Sequence, residues 1–398
     1  MKHAFASALG WAVGLHARLS NALSKQERVL CLAPPVPANC GDEAMLWVVL
    51  NELRKRGRSV KVIQTGPQEL SLPEVCPGAE LVEGIHPYFT TTRSRKERLL
   101  LLRQFRHCRD LIVIGADVLD GTYSKDKAVQ TFRCLQMAHS CGIHARVLGF
   151  SLSAEPSGPL AESIRSLPDS VRLMARDPLS AERLRSVAGP RVEQVADLAF
   201  LFEAAGQEQV PPEVRTFIED CQGPLLGLSA TPLLMDSRID AQRRIARAMG
   251  MLARSTGGRI LLVQHHPKDL ETCSILQQAI SQDAEGASMI VPFLPAAVAK
   301  TVIRHCNHVF SGRMHVAIAA LSCRRPVTCF PYRGKFRGLM QMFEIDNSLL
   351  DVDDIPEDPE RICELFAERV EQSDVEAARI QDHLPGVMAM ARRNFDGL

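Results

Sequence analysis

The sequence predicts two doubly wound, Rossmann-like α/β domains facing a cleft. Three observations carry this. The chain has 398 residues, too long for one ordinary domain and suited to two. Short β-branched or Leu-rich runs alternate with longer amphipathic runs, which is the pattern of parallel sheets flanked by helices. That alternation occurs twice, on either side of residues 203–214, which hold Pro211 and Pro212 and little apolar periodicity and so read as a linker.

In the first alternation, residues 28–32 read as a buried strand. Residues 42–56 read as a helix with Leu46, Val49, Leu50 and Leu53 on one face, ended by Gly57 in the C′ position. Further strands are expected at 60–63, 111–114, 146–150 and 171–174, with helices at 96–107, 127–141 and 179–187. In the second alternation, strands are expected at 225–228, 260–263, 289–291, 308–310 and 327–330. Helices are expected at 241–254, 270–280, 296–305 and 314–321. The resulting division is an N-terminal helix or extension (1–27), a first α/β domain (28–203), a second (215–345) and an acidic helical segment (346–398).

Composition narrows the function. Apolar residues make up 46% and charged residues 23%, which excludes a mainly disordered or collagen-like chain. Lys plus Arg is 47 and Asp plus Glu is 46, so no broad basic excess supports nucleic-acid binding. The balance is uneven, because residues 344–375 hold twelve acidic and two basic residues. A basic body with an acidic tail fits a cationic cleft for a small anion. None of the twelve cysteines falls into a CxxC pair, so they read as reduced core thiols of a cytoplasmic protein. The apolar stretch 4–15 is too short to span a bilayer. His16 and Arg18 interrupt its end, so it reads as a docked helix or as a peripheral contact at the inner face of the membrane rather than as a signal peptide.

Doubly wound sheets bind ligands at the carboxyl ends of their strands, so the strand-to-helix loops should carry function. Asn39-Cys40-Gly41-Asp42-Glu43-Ala44 leads into the first helix. Gly41 permits close approach of backbone, free amides at the helix start suit an anion, and Asp42 reads as a cap. Arg176-Asp177 follows the fifth expected strand, where either a cleft-facing cation or a structural ion pair fits. Ser311-Gly312-Arg313-Met314-His315 places a bidentate anion-gripping group and a proton-transfer group two residues apart at a helix start. Phe330-Pro331-Tyr332-Arg333-Gly334-Lys335 should lie near it. His265-His266-Pro267-Lys268-Asp269 reads as a turn supporting the site, since no convergent metal-ligand set accompanies it. Asp117 and Asp120 either bind an acceptor hydroxyl or shape their turn. No G-x-G-x-x-G or P-loop is present.

Taken together, these loops resemble the polysaccharide pyruvyl transferase family. The likeness rests on Asn39-x-Gly41-Asp42-Glu43-Ala44, Ala175-Arg176-Asp177-x-x-Ser180, Asp197-x-Ala199-Phe200, Ser311-Gly312-Arg313-Met314-His315, and Pro326-Val327 followed by Lys335. The resemblance implies transfer of an enolpyruvyl-derived group from phosphoenolpyruvate to a sugar, usually leaving a pyruvate ketal. It also implies a likeness to B-type glycosyltransferases, with the acceptor on the first domain and the donor on the second. The implied donor contacts are Arg176, Arg313, His315 and Lys335, alongside Asn39, Gly41, Ser311 and Gly312. His315 is the candidate acid, or the group assisting phosphate departure, and Asp42 a candidate base. Phosphoenolpyruvate is a co-substrate, so no cofactor or metal is expected. The expected partner is a sugar, oligosaccharide or lipid-linked saccharide. Two departures fall in the first domain: Gly115-Ala116-Asp117 stands where the family often has consecutive glycines, and Ser151 to Pro156 where it often has Gln-Ser-x-Gly-Pro. Three alternatives remain open: a B-type glycosyltransferase using a nucleotide sugar, a catalytically silent glycan-binding relative, and a two-domain small-molecule binding protein.

Overall fold

The computed structural model describes residues 28–34, 39–64, 79–82, 95–116, 118–122, 124–229, 232–331 and 335–398. The expected N-terminal helix, Asp117, and Tyr332 to Gly334 lie outside the described residues. The chain forms two parallel-sheet units. The first comprises residues 1–37, 45–198 and 390–398, and the second residues 38–44 and 199–389.

The first unit holds β1 (Arg28–Ala33), α1 (Cys40–Lys55, whose first turns count with the second unit), β2 (Ser59–Gln64), β3 (Ala79–Leu81) and α2 (Arg95–Phe105). It continues with β4 (Asp110–Ala116), α3 (Lys125–Ser140), β5 (His144–Phe150), α4 (Gly158–Arg165), β6 (Arg172–Ala175), α5 (Pro178–Ala188) and β7 (Val192–Gln194). The strand order is β3-β2-β1-β4-β5-β6-β7, and every pairing is parallel. Central strands of such sheets are covered on both faces, so they read as unbroken apolar runs. Val29, Leu30, Cys31 and Leu32 of β1 are all buried. On α1, the predicted face of Leu46, Val49, Leu50 and Leu53 is buried. Gly57 closes the helix with φ +66°, a conformation that suits glycine. β4 and β5 pass so closely at Gly115 that a Cβ there would lie 2.2 Å from the Phe150 Cβ.

The second unit holds α6 (Pro212–Glu219), β8 (Leu225–Ser229), α7 (Pro232–Thr256), β9 (Arg259–Val263), α8 (Asp269–Ser281), β10 (Ser288–Val291) and α9 (Ala296–Arg304). After these come β11 (His308–Ser311), α10 (Met314–Ser322), β12 (Val327–Cys329), α11 (Lys335–Gln341), α12 (Pro359–Glu371) and α13 (Ser373–Arg392). Its parallel sheet runs β10-β9-β8-β11-β12. The order reverses between β8 and β11, so the loop after β11 stands at the switch point where such sheets bind ligands.

The acidic stretch is an integral part of this unit. α12 turns Ile362 and Phe366 inward, and the Phe366 ring lies 4.5 Å from Phe310 on β11. Its carboxylates occupy the remaining faces. Residues 390–398 belong to the first unit, where the carbonyls of Asp396 and Gly397 accept from Arg146 at 2.9 and 3.2 Å.

Residues 203–214 are no free linker. The ammonium of Lys300 donates to the Phe202 carbonyl at 2.5 Å, and Thr301 Oγ1 donates to the Ala205 carbonyl at 2.8 Å. The Ala205 amide donates to Ala297 at 3.0 Å, and His305 shares a 2.7 Å bond with Gln207. These ties strap the segment onto α9, so its lack of apolar periodicity reflects polar docking. Among the described residues, no helix is long and apolar enough to cross a membrane.

Candidate active site

The second unit gathers Asn39, Gly41, His265, Asp269, Arg313 and His315 around the carboxyl ends of β9 and β11. Arg313 is the N-cap residue of α10, with φ −111° and ψ 119°. Ser311 fixes that turn, accepting from the Arg313 amide at 3.0 Å and donating to its carbonyl at 2.8 Å. The Gly312 amide donates to Ser229 at 2.7 Å, extending the β8–β11 pairing into the loop. Ser311 and Gly312 therefore shape the loop through backbone bonds.

Asp269 organises the neighbouring loop. Its carboxylate is fully buried. Oδ2 accepts from the amides of His265 and His266, each at 3.0 Å, and Oδ1 pairs with the Arg313 guanidinium. The sequence suggested a supporting turn here but gave no sign that this carboxylate anchors Arg313.

The start of α1 differs from expectation. Asn39, not Asp42, is the capping residue: its Oδ1 accepts from the Gly41 amide at 2.8 Å. Asp42 stands within the first turn, where a carboxylate complements the helix dipole. The Gly41 amide also faces His265 Nε2 at 3.1 Å, so it is engaged by protein groups and is not left for an anion. The close approach at Gly41 is to an imidazole: a Cβ there would lie 2.1 Å from His315 Nδ1. Glu43 caps α9, accepting from the Ala296 amide at 3.1 Å, and burial raises its carboxyl pKa.

His265 and His315 are stacked, with centroids 6.0 Å apart and planes at 21°. Burial, with further contributions from His315 and Arg313, pushes His265 well below the usual histidine range. His265 is thus neutral near pH 7, which leaves its Nε2 as an acceptor and its Nδ1 carrying the proton. Both rings line a cavity of about 30 Å³ with Cys40, Gly41, Phe202, Ala296, Ala299, Lys300 and Ala319. Lys300 was not singled out from the sequence, because an isolated lysine in an apolar helix reads as a solvated side chain. It is only 7% exposed, and burial lowers its pKa.

Arg176 lies in the first unit. Its Nη1 pairs with Asp197 Oδ2 at 2.8 Å and its Nε donates to Ser151 Oγ at 2.7 Å. Its side chain is 1% exposed, so its geometry is that of a structural ion pair and not of a cleft-facing cation. Asp177 is the N-cap of α5, accepting from the Ser180 amide at 2.8 Å. The motifs at Arg176 and Asp197 are therefore linked through a buried ion pair. Asp120 accepts from the Thr122 amide at 2.7 Å and shapes its turn. Lys335 opens α11. Among the described residues, no group of three His, Cys, Asp or Glu side chains is placed to hold a metal ion.

Two parallel-sheet α/β units, the second carrying an Arg–His helix start at its switch point, define a B-type glycosyltransferase-like fold. Solved structures agree. The UDP-GlcNAc 2-epimerase of Neisseria meningitidis, bound to UDP-GlcNAc, is similar with a TM-score of 0.59 at 12% identity, covering 92% of this chain and 97% of that one. The S. aureus MnaA structure with UDP has a TM-score of 0.61 at 11% identity, covering 90% and 91%. A glycosyltransferase from Rickettsia africae has a TM-score of 0.58 at 9% identity, covering 94% and 100%. No curated protein sequence matches the chain significantly. The family model for polysaccharide pyruvyl transferase matches residues 39–334, and the chain belongs to that family.

Proposed function

We propose that this protein transfers a pyruvyl group from phosphoenolpyruvate to a saccharide destined for a cell-surface polysaccharide, forming a pyruvate ketal. The observation that carries this reading is the clustering of Arg313 and His315 at the switch point of the second sheet, within a family match of 39–334. Phosphoenolpyruvate presents a carboxylate and a phosphate on a three-carbon frame, and a guanidinium beside an imidazole suits it.

In the proposed reaction, His315 protonates the methylene carbon, which makes the neighbouring carbon electrophilic. A sugar hydroxyl attacks that carbon and passes its proton to Asp42. The carbon–oxygen bond to phosphate then breaks, and Arg313 stabilises the charge on the departing group. A second hydroxyl closes the ketal, and its proton leaves with the phosphate. Asp269 holds the Arg313 guanidinium in place, and Gly41 leaves room for the His315 ring. Lys335 is proposed as a further donor contact.

The test is phosphate release from phosphoenolpyruvate with a saccharide acceptor. His315→Ala should abolish it, and near wild-type turnover would remove His315 from the mechanism. A second reading, a glycosyltransferase using a nucleotide sugar, draws on the fold neighbours whose structures hold UDP or UDP-GlcNAc. Thermal stabilisation by phosphoenolpyruvate rather than by UDP-sugars separates the two.

A further inference from the structure

The cavity beside His315 contains a buried cation that the proposed reaction does not yet use. Lys300 lies in the middle of α9, within six consecutive buried positions from Val298 to Ile303. Its ammonium has three donors. One goes to the Phe202 carbonyl, and among the described residues no carboxylate lies within ion-pair distance of it. The Glu203 carboxylate acts on it only from beyond that distance, and burying an ammonium without a direct ion pair is costly. The strap onto Phe202 uses one of the three donors, so docking that segment does not by itself account for a buried charge here. Buried, perturbed ionisable groups in cavities mark functional sites more often than chance.

The shape of the cavity selects the ligand. Its volume is about 30 Å³, room for about two water molecules and therefore for one planar two-oxygen group. Ala296 and Ala299 form small apolar walls, and His265 and His315 supply the polar side. We propose that Lys300 is the anion-binding group of a carboxylate subsite in this cavity, beside His315. The two donors left on the ammonium match the two oxygens of a carboxylate, and the alanines accommodate an adjoining methyl or methylene carbon. The natural occupant would be the carboxylate end of the three-carbon donor, and this one point rests on the pyruvyl-transfer reading. The phosphate end then remains for Arg313.

Calorimetric titration of the full-length protein with pyruvate and with inorganic phosphate tests the subsite. Lys300→Met keeps the volume and removes the charge. Pyruvate affinity should fall at least tenfold in Lys300→Met, with phosphate affinity changed less than twofold and the melting temperature unchanged or raised. Equal pyruvate affinity in the two proteins, or no pyruvate binding by wild type, overturns the subsite. If Lys300→Met does not fold, Lys300→Gln takes its place; failure of both to fold assigns Lys300 to the Phe202 strap alone and also overturns it. Phosphate release from phosphoenolpyruvate by wild type is measured in parallel. Lys300-dependent pyruvate binding without that release would keep the subsite and sink the pyruvyl-transfer reading.

Discussion

Gly41 and His315 share one space: a Cβ on Gly41 would lie 2.1 Å from His315 Nδ1 and 2.2 Å from its Cγ. The backbone of the first loop thus meets the imidazole that the second sheet presents. Gly41→Ala should displace the His315 ring while leaving α1 helical, because alanine is a better helix former than glycine by about 1 kcal/mol. Phosphate release should fall at least tenfold, with far-UV circular dichroism unchanged. An alanine variant with full activity would show that the ring position is immaterial.

Asp269 separates two effects on Arg313. In Asp269→Asn, one amide oxygen can still accept from the His265 and His266 amides, but the charge opposite the guanidinium is gone. The phosphoenolpyruvate concentration for half-maximal rate should rise about tenfold, with a small change in melting temperature. Asp269→Ala also removes the backbone acceptor, and breaking a buried pair typically costs about 3–5 kcal/mol. Comparing the two variants by kinetics and thermal melting checks this.

Arg176 should behave as a structural residue of the first unit. Arg176→Ala removes the buried guanidinium opposite Asp197, with an expected loss of about 3–5 kcal/mol. A double-mutant cycle of Arg176→Met and Asp197→Leu should show strong coupling in stability. Independent effects would mean that the 2.8 Å bond between them contributes little, and would restore Arg176 as a candidate for direct ligand contact.

His308 predicts a pH dependence. It is held between Ser373 and Thr328, each at 2.9 Å, and burial, with Arg369 nearby, pushes its pKa down to about 3. The unfolded chain binds this proton near the ordinary value of 6.5, so it carries more protons than the native state below that pH. Stability from His308 is therefore full above pH 6.5 and is lost as pH falls toward 3, at up to about 1.4 kcal/mol per unit. His265, also depressed, adds to the slope in the same direction. Chemical denaturation of wild type and His308→Gln across that range should give a shallower slope for the variant.

Much of this architecture was legible in the sequence because parallel strands buried on both faces announce themselves. Val29 to Leu32 and Leu261 to Val263 are continuous apolar runs, and both are strands. The missed elements were short. β3 and β7 have three residues each, too few to show a period, and α4 opens on Gly158-Pro159, which reads as a break. At the site, Arg313 and His315 were legible as a cation and an imidazole at a helix start. Their anchors were not. Asp269 lies far from Arg313 in sequence, and Gly41 farther still from His315, so only the fold brings the carboxylate to the guanidinium and the glycine to the ring. Residues 203–214 misled for a related reason, because polar side chains can dock a segment as firmly as apolar ones.

The central claim is the chemistry, and mass spectrometry of reaction products tests it most directly. Wild-type protein is incubated with phosphoenolpyruvate and a panel of lipid-linked and nucleotide-linked saccharides. The account predicts a saccharide that gains a pyruvyl group, with one phosphate released for each product formed. Transfer of a sugar from a nucleotide donor, with phosphoenolpyruvate left intact, would contradict it.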